Sequence, residues 1–406
     1  MLKRYFLSNK KRNFSIASIW IEGGSDMDST GKKGVNKILC SLLTRGCEGF
    51  NNFTLSEYFE SYGAELNQEV FEDGISISIK SLNEHFNKLF PLLDLIINKP
   101  ILSETEFKKV KKSSINYIKK DKENPFCNCF EKWKKIVYSN HPYAFNTFGN
   151  ENDVSNITYE DVLLEFEKFK NREKHLISNN PKINGEKNFG TLDKKIPQEI
   201  SGCVNHNLSP LNRFDYIDND SNQTIIMLGD QTCSRKSSEY LLFKVLESYL
   251  SFGMSAALFK LFREKHGITY DLGVYYPVRS GNAPFLIYLS VSNKQALFAF
   301  ELLSTLLKNL LLNPLTDAEI FLAKEKLKGS FLLGNQSLDD ILQRRVQLIS
   351  YGISPISEIN LNSEIDKISS LDILELTNKY LSKPFLSISG NERVRLEISK
   401  SWEKNF

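Results

Sequence analysis

The feature of this sequence that most constrains its fold is an internal duplication. Capping boxes of the type Ser/Thr-x-x-Glu open helices at Ser103 and at Thr316, 213 residues apart, and each follows an apolar helical pattern. Residues 157–163 and 368–374 also match one another, at an offset of 211. A near-constant offset over several elements indicates two copies of one structural unit.

The strand patterns repeat in the same way. Residues 74–80 and 285–291 alternate apolar and polar side chains with period two, which is typical of half-buried strands. Each half therefore reads as strand, helix, helix, paired strands, two or more long helices and a closing strand, the last predicted at 174–178 and 385–389. Helices collected on one face of a mostly antiparallel sheet define an α+β fold.

We therefore predict two homologous α+β domains, the first in residues 1–180 and the second in residues 221–406. Residues 181–220 are rich in Asn, Gly, Pro and Lys and have weak periodicity, so they are interpreted as the connection between the domains.

Composition excludes some functions. The 406 residues include 52 basic and 49 acidic side chains, and a net charge of +3 does not predict nucleic-acid binding. No apolar run reaches the ~18–20 residues of a membrane span, because the closest, residues 302–312, is interrupted by Lys308 and Asn309. We expect no nucleic-acid partner and no membrane span.

The cysteines and the N-terminus bear on localisation. The spacing of the cysteines gives no disulfide or zinc-ribbon framework, which favours a reducing, cytoplasmic compartment. Residues 1–14 are basic but lack the apolar segment of a secretory signal. Their basic character would also suit an organelle transit peptide, although they run directly into a predicted strand. The six cysteines are Cys40, Cys47, Cys127, Cys129, Cys203 and Cys233.

The order of motifs in the first half is specific. A strand at 14–22 ends in Gly23-Gly24-Ser25-Asp26, a helix follows over 34–46, and a helix capped at Thr54 leads to Gly63-Ala64-Glu65-Leu66-Asn67. This order resembles the pitrilysin/insulinase-like zinc peptidase family (M16). There, a Gly-Ser-Arg-Asp-Glu-like turn precedes a helix bearing His-x-x-Glu-His, and a Gly-Ala-x-x-Asn turn comes later. The resemblance extends from Phe14 to about Gly390 and includes the duplication.

The resemblance implies a zinc site whose ligands this chain lacks. Two imidazoles one helical turn apart bind the metal and a carboxylate between them acts as general base. The matching positions hold Lys37, Cys40 and Ser41. The third ligand, a later glutamate, is replaced by Tyr117 when counted back from the turn at 123–125. A cation at Lys37 opposes metal binding, so we expect no catalytic residues in this chain alone and zinc only in a partner.

The second half keeps the family's other motif. Residues 261–270 resemble its Leu-Arg-Glu-x-x-Gly-x-x-Tyr stretch, with Arg263 and Tyr270 on the paired arginine and tyrosine. The resemblance implies that this pair binds substrate carbonyls and helps to polarise the scissile one, for which a guanidinium and a phenol are suited. Taken alone, the residues would also suit a surface ion pair and a strand-core tyrosine. Gln223 is a weaker candidate for the same chamber.

Three hypotheses follow. In the first, the chain is the non-catalytic subunit of a heterodimeric zinc peptidase, supplying Arg263 and Tyr270 to a homologue that has an intact His-x-x-Glu-His and acts on unfolded peptides. The alternative is a structural scaffold, like the core subunits of respiratory complexes that share this fold. The third is an enzyme that uses Cys40 as nucleophile, or another site that the sequence does not reveal. The histidines, expected to be surface or packing residues, are His85, His141, His175, His206 and His266.

Overall fold

The computed structural model of the chain describes residues 2–7, 13–180, 183, 210–354, 358 and 360–406, without the side chains of Leu2, Pro210, Leu211 and Tyr270. It consists of two compact units. Unit 1 comprises Met1–Lys120, Phe145–Ile196 and Gly334–Ser357, and unit 2 comprises Asp121–Ala144, Pro197–Leu333 and Glu358–Phe406. Each unit therefore includes one segment from the other half of the sequence. The domain boundaries predicted at 180 and 221 stay a prediction, and most of the predicted connection lies outside the described residues.

Unit 1 is built on a five-stranded sheet in which β1 and β7 are parallel and all other neighbours are antiparallel. The order across the sheet is β1-β7-β2-β6-β5, so β5 lies at an edge. Numbered along the chain, the strands are β1 (Leu2–Phe6), β2 (Phe14–Glu22), β5 (Glu65–Val70), β6 (Gly74–Leu82) and β7 (Lys174–Ser178), and a separate short ribbon is formed by β3 (Gly46–Cys47) and β4 (Phe50–Asn51).

The helices of unit 1 cover both faces of this sheet. One face is apolar: Ala17, Ile19 and Ile21 of β2 are buried with α1 and α3 in a single core. The helices are α1 (Val35–Leu43), α2 (Asn52–Ser61), α3 (Asn83–Asn98), α4 (Glu104–Lys122), α6 (Glu151–Asn156), α7 (Tyr159–Lys170) and α11 (Leu338–Ser350), with a 3-10 turn at Ser25–Met27.

The other face of the unit 1 sheet carries serines and is covered by α11, which comes from the second half of the sequence. Ser76 donates to the amide oxygen of Gln343 at 3.2 Å, and the Lys80 ammonium lies 2.9 Å from the Asp339 carboxylate. Polar side chains on a sheet face can be buried when they find hydrogen-bond partners of this kind.

Unit 2 repeats the architecture. Its sheet has the order β10-β11-β9-β12-β8, with β8 and β12 parallel and the rest antiparallel. The strands are β8 (Phe214–Asp218), β9 (Gln223–Gln231), β10 (Thr269–Tyr275), β11 (Pro284–Ser292) and β12 (Phe385–Gly390). The helices are α5 (Pro125–Tyr138), α8 (Tyr240–Ser251), a π-helix (Phe259–Lys265), α9 (Ala296–Leu312), α10 (Asp317–Gly334), α12 (Leu361–Lys367), α13 (Ser370–Leu381) and α14 (Glu392–Asn405), with 3-10 turns at Pro142–Ala144, Pro210–Arg213 and Asn293–Gln295.

The helix exchanged into unit 2 is α5, from the first half of the sequence. Its Trp133 is fully buried and donates from Nε1 to the carbonyl of Phe385 in β12 at 3.3 Å, and Cys129 lies against Ser387 of the same strand. The predicted α+β fold with two homologous halves is confirmed, since both sheets have the same strand order. The sequence did not predict that the second face of each sheet is covered by a helix from the opposite half.

The capping interactions repeat with the duplication. In α7, the side chain of Thr158 and that of Asp161 each accept from the other residue's backbone N–H, and Ser369 and Asp372 do the same in α13. The predicted box at Thr316 is also reciprocal. At Ser103 only half of the box forms, because the Glu106 carboxylate binds Arg45 at 2.8 Å instead. The prediction that Thr54 caps α2 was wrong, since Asn51 accepts from the Thr54 N–H.

One segment, Asn293–Leu312, is long and apolar enough to cross a membrane by length and composition, with a mean hydropathy of 1.3. It contains α9, whose Phe300, Leu303 and Leu307 are buried in the core of unit 2. This core position accounts for the apolar composition, and the expected absence of a membrane span stays a prediction.

Gly74 provides a test of packing in unit 1. A Cβ at this position would lie 2.3 Å from the ring of Trp20, which is fully buried and has no room to move. Gly74→Ala is therefore expected to reduce the free energy of unfolding by about 1–3 kcal/mol, measured by thermal and urea unfolding. The control is Gly329→Ala in α10, where a Cβ meets nothing within 4 Å and a gain of about 0.5–1 kcal/mol is expected. Equal stability of Gly74→Ala and the unchanged chain would contradict this packing.

Candidate functional site

The helix α1 exposes the two positions that match the family's histidines. Seven of its nine residues are buried, and the two that are not are Lys37 and Ser41. They lie one helical turn apart on the same side of the helix, which is the geometry that a pair of metal-binding histidines needs. The motif position inferred from the sequence therefore falls on the exposed face of α1.

Phe148 brings together two of the four replaced positions. The Lys37 ammonium lies over its ring, 4.5 Å from the centroid, and the Tyr117 ring stacks on it with a centroid distance of 4.0 Å and an interplanar angle of 20°. We call these three side chains the Lys37–Phe148–Tyr117 stack. Within the described chain, no carboxylate forms an ion pair with Lys37. Sequence reasoning missed Phe148, because it lies in a loop without periodicity and belongs to no recognisable motif.

The other two replaced positions, Cys40 and Ser41, carry unreactive side chains. Cys40 is 0% exposed, and burial raises the pKa of its thiol to about 12, so little thiolate forms near neutral pH. The Ser41 hydroxyl donates to the Lys37 carbonyl at 2.9 Å. The burial of Cys40 and the raised pKa of its thiol count against the hypothesis of an enzyme that uses Cys40 as nucleophile.

These four side chains do not fit a zinc ion. Zinc in proteins is bound by imidazole nitrogen, thiolate sulfur or carboxylate oxygen. Lys37 offers a cation without a lone pair, Cys40 is a protonated thiol in the core, and Tyr117 is stacked on Phe148. The family's metal therefore has no ligand set at the position where its motif would place it.

A second cluster, away from this motif, contains groups of the kind that bind metals. One ligand atom each of Glu22, Glu173 and His175 lies within 4.8 Å of the others. His175 Nε2 is 2.8 Å from a Glu22 carboxylate oxygen, and Lys3 forms an ion pair with Glu173 at 2.8 Å. His175 Nδ1 is buried without a hydrogen-bond partner, whereas a metal-bound histidine normally donates from its second nitrogen. The cluster fits a hydrogen-bonded network better than a metal site.

The turn before α1 holds the helix in place. The Asp28 carboxylate accepts from the N–H of Gly34 at 2.7 Å, from the N–H of Asn36 at 3.1 Å and from its side-chain amide at 2.8 Å. A carboxylate at a helix N-terminus satisfies the free N–H groups and interacts favourably with the helix dipole. Burial nevertheless raises the pKa of Asp28 to about 6.

The pKa of Asp26, in the same turn, is raised further than that of Asp28. Burial, and then the neighbouring carboxylate of Asp73, raise the pKa of Asp26 to about 7, while the N–H of Gly24 and the cation of Arg172 act in the opposite direction. Tyr351 donates to the Asp73 carboxylate at 2.9 Å. The carboxyl groups of Asp26 and Asp73 thus lie close together before the start of α1.

In unit 2, Arg263 lies on the π-helix Phe259–Lys265. Helices of this type are rare and frequently occur at functional sites. The Arg263 side chain is exposed, and its guanidinium carbon lies 4.9 Å from the centre of the Phe259 ring. Gly267, two residues after the end of the helix, has a positive φ of 60°, and its N–H donates back to the Arg263 carbonyl at 3.1 Å.

Tyr270 follows in the edge strand β10, where the register with β11 shifts between Thr269 and Asp271. Such bulges redirect side chains and are common beside active sites. The Tyr270 side chain lies outside what the structure describes, so its action together with Arg263 stays a prediction.

Each unit has a cavity beside one of the candidate positions. One, of about 660 Å³ in unit 2, includes Gln223, Asp271 and Tyr288 in its lining, so the predicted candidate Gln223 faces a cavity although its role is untested. The other, of about 440 Å³ in unit 1, extends from Ser41 to Gln68 in the edge strand β5. The second cavity therefore begins at one of the replaced motif positions.

Comparison with known proteins identifies the family. A model described as Insulinase (Peptidase family M16) matches residues 4–151, and one described as Peptidase M16 inactive domain matches residues 184–327. Together the two matches cover more than half of the chain, which therefore belongs to peptidase family M16.

Individual relatives agree with this. A Rickettsia felis protein described as an uncharacterized zinc protease is 23% identical over 367 residues, covering 88% of both chains, and Bacillus subtilis YmxG, described likewise, is 22% identical over 85% of this chain and 87% of its own. Among solved structures, a peptidase M16 inactive domain from Pseudomonas fluorescens has a TM-score of 0.80 at 20% identity and a protease from Helicobacter pylori 0.82 at 16%, each covering 95% of both chains. These two structures support the fold alone.

The raised pKa of Asp26 predicts a pH dependence of stability. The folded chain keeps a proton on Asp26 up to about pH 7, whereas the unfolded chain releases it near pH ~4, so the contribution of this group to stability falls as pH rises between these values. Asp26→Asn never ionises and keeps the acceptor for the Gly24 N–H. We expect it to raise the free energy of unfolding by about 1–3 kcal/mol at pH 8 and to have little effect at pH 4.

Urea unfolding at both pH values checks this expectation, with Asp94→Asn on the exposed side of α3 as the control. A loss of stability at pH 8, or a gain that is equal at the two pH values, would contradict the assignment.

Proposed function

We propose that this chain is the non-catalytic subunit of a heterodimeric zinc peptidase of family M16, and that it lends Arg263 and Tyr270 to the zinc site of its partner. The observation that carries the proposal is a contrast between the two units. Unit 1 holds the Lys37–Phe148–Tyr117 stack where the family's ligands would lie, and unit 2 presents Arg263, exposed, on an uncommon π-helix.

The chemistry of the pair suits this role. The Arg263 guanidinium offers several N–H donors in a fixed plane, which can bind backbone carbonyls of an extended peptide. The Tyr270 phenol can donate to an oxygen that gains negative charge during the reaction. The partner, a homologue with His-x-x-Glu-His, would supply the metal and the general base, and the substrate would be an unfolded peptide.

An exposed apolar surface supports association with another chain. Phe321, Leu332 and Leu333 on one side of α10 are 66%, 63% and 65% exposed, and Leu322 on the same side is 39% exposed. At the matching positions of α4, 213 residues earlier, the duplicated unit carries lysines: Lys108, Lys109, Lys119 and Lys120.

The fold therefore does not require apolar residues on this side of the helix, since α4 forms with lysines there. Large apolar side chains exposed on one side of a helix are often found at protein interfaces. We assign the exposed side of α10, defined by Phe321, Leu322, Leu332 and Leu333, to the docking of the metal-bearing partner.

We also propose a cytoplasmic location for the pair. The cysteines that the structure describes are free thiols, which are maintained in a reducing compartment: Cys40, Cys47, Cys127, Cys129 and Cys233.

Peptide cleavage by the reconstituted pair tests the proposed role of Arg263 and Tyr270. The chain is co-expressed with a homologue that has the intact motif, and kcat and KM are measured on an unfolded peptide. Because the donors act on the reacting carbonyl, Arg263→Ala is expected to reduce kcat by roughly 10²–10³-fold and Tyr270→Phe by a smaller factor, while the complex still forms.

The matched control is Arg393→Ala, which removes an exposed arginine of α14 from the same unit. Full activity of the complex after both changes, Arg263→Ala and Tyr270→Phe, would rule out the catalytic contribution and favour the scaffold role.

A second experiment tests the docking surface. Leu332→Lys with Leu333→Lys gives α10 the residues that α4 carries at the matching positions, so folding should be retained. We expect the dissociation constant of the pair to rise at least roughly tenfold, measured by analytical ultracentrifugation, because two apolar side chains are lost from the interface. Leu164→Lys, at an equally exposed leucine of α7, serves as control. An unchanged dissociation constant would place the interface elsewhere.

A further inference from the structure

We propose that the replaced motif of unit 1 is itself a binding site, which takes the carboxylate of an extended peptide with Lys37 as its anchor. This site would act in the isolated chain. It is therefore independent of the pairing proposed above and of Arg263.

Among the residues that the structure describes, Lys37 has no counter-ion. The neighbouring lysines have polar partners. Lys32 forms an ion pair with Asp161 at 2.5 Å, and Lys33 donates to the Asp28 carbonyl at 2.6 Å. Lys37 is half-buried and lies over the Phe148 ring, with no ion pair among the described residues. A cation–π contact compensates only in part for removing an ammonium from water, so an anionic ligand would be bound favourably here.

One carboxylate in this region, that of Glu69, forms no ion pair with Lys37 among the described residues. Glu69 of β5 is close enough to Cys40 to raise the pKa of its thiol, and Lys37 is close enough to lower it. No ion pair joins Glu69 to Lys37 in the described chain. The charge of Lys37 is therefore still available to a ligand from outside.

A place for an extended ligand lies beside the cation. β5 is an edge strand that pairs only with β6, and edge strands accept a further strand through their unpaired N–H and C=O groups. The helix α1 packs against β5, and the cavity of about 440 Å³ is lined by Ser41, by Leu66 and Gln68 of β5 and by residues of α2. A peptide added to β5 could place one side chain in this cavity.

The spacing fits a peptide carboxylate. Lys37 and Ser41 are four residues apart, about 6 Å along α1. Side chains on one face of a strand repeat every two residues, about 6.6 Å. A ligand that follows α1 towards its N-terminus, with one side chain in the cavity beside Ser41, would bring the group two positions away towards Lys37. That group could be an acidic side chain or the C-terminal carboxylate of the peptide.

Fluorescence anisotropy on the isolated chain tests the proposal. The probes are fluorescein-labelled octapeptides of Ser, Thr and Leu that carry one Glu, or Gln in its place, each with a free or an amidated C-terminus. We expect the peptide with both carboxylates to bind roughly tenfold more tightly than the peptide with neither, and the difference to shrink as salt is added. The single-carboxylate peptides show which source is recognised.

Lys37→Met keeps the apolar stem over Phe148 and removes the charge, so it should abolish the preference for carboxylate while leaving the weak binding of the neutral peptide unchanged. Lys37→Glu should disfavour the acidic peptides further. The matched control is Lys88→Met, because Lys88 also lies over an aromatic ring of unit 1, that of Tyr62 at 5.0 Å. Circular dichroism confirms that each variant is folded.

Equal binding of acidic and neutral peptides by the unchanged chain, no binding of either, or a carboxylate preference that survives Lys37→Met would each overturn the proposal. Because no partner is present, none of these outcomes depends on the proposed heterodimer.

Discussion

The Asp28 carboxylate fixes the orientation of α1, and the character of the candidate site depends on that orientation. By accepting from the backbone N–H groups of Gly34 and Asn36, it binds the free donors at the start of the helix. The helix then presents Lys37 and Ser41 outward and directs Cys40 into the core. The same geometry in a chain with histidines at the two outward positions would hold a metal, whereas here it presents an ammonium group to an aromatic ring.

Two of the positions that match the family's metal ligands are packed together in this chain. Phe148 contacts both Lys37 and Tyr117, so two of the replaced positions are joined to each other through its ring. Reversion of one position would therefore not restore a ligand set. In unit 2, by contrast, Arg263 remains exposed on a helix with unusual hydrogen bonding. The two units have the same fold and have diverged in chemistry.

Much of the fold could be predicted from the sequence, because repeated capping residues and strand patterns report local structure directly. The strands at 74–80 and 285–291 and the closing strands lie where the period-two pattern placed them. The exchange of α5 and α11 could not be predicted, since an amphipathic pattern shows that a helix has a buried face but not which sheet covers it. Phe148 and the π-helix were missed for a related reason: both depend on tertiary contacts or backbone geometry that no short motif encodes.

The proposal that the chain is one half of a zinc peptidase is tested most directly by the zinc content of the purified pair. After reconstitution in excess zinc and desalting, elemental analysis should give one zinc per pair, and none should remain with this chain once the two subunits are separated. Two zinc ions per pair, or zinc that stays with this chain and is lost on Tyr117→Phe or Ser41→Ala, would contradict the account.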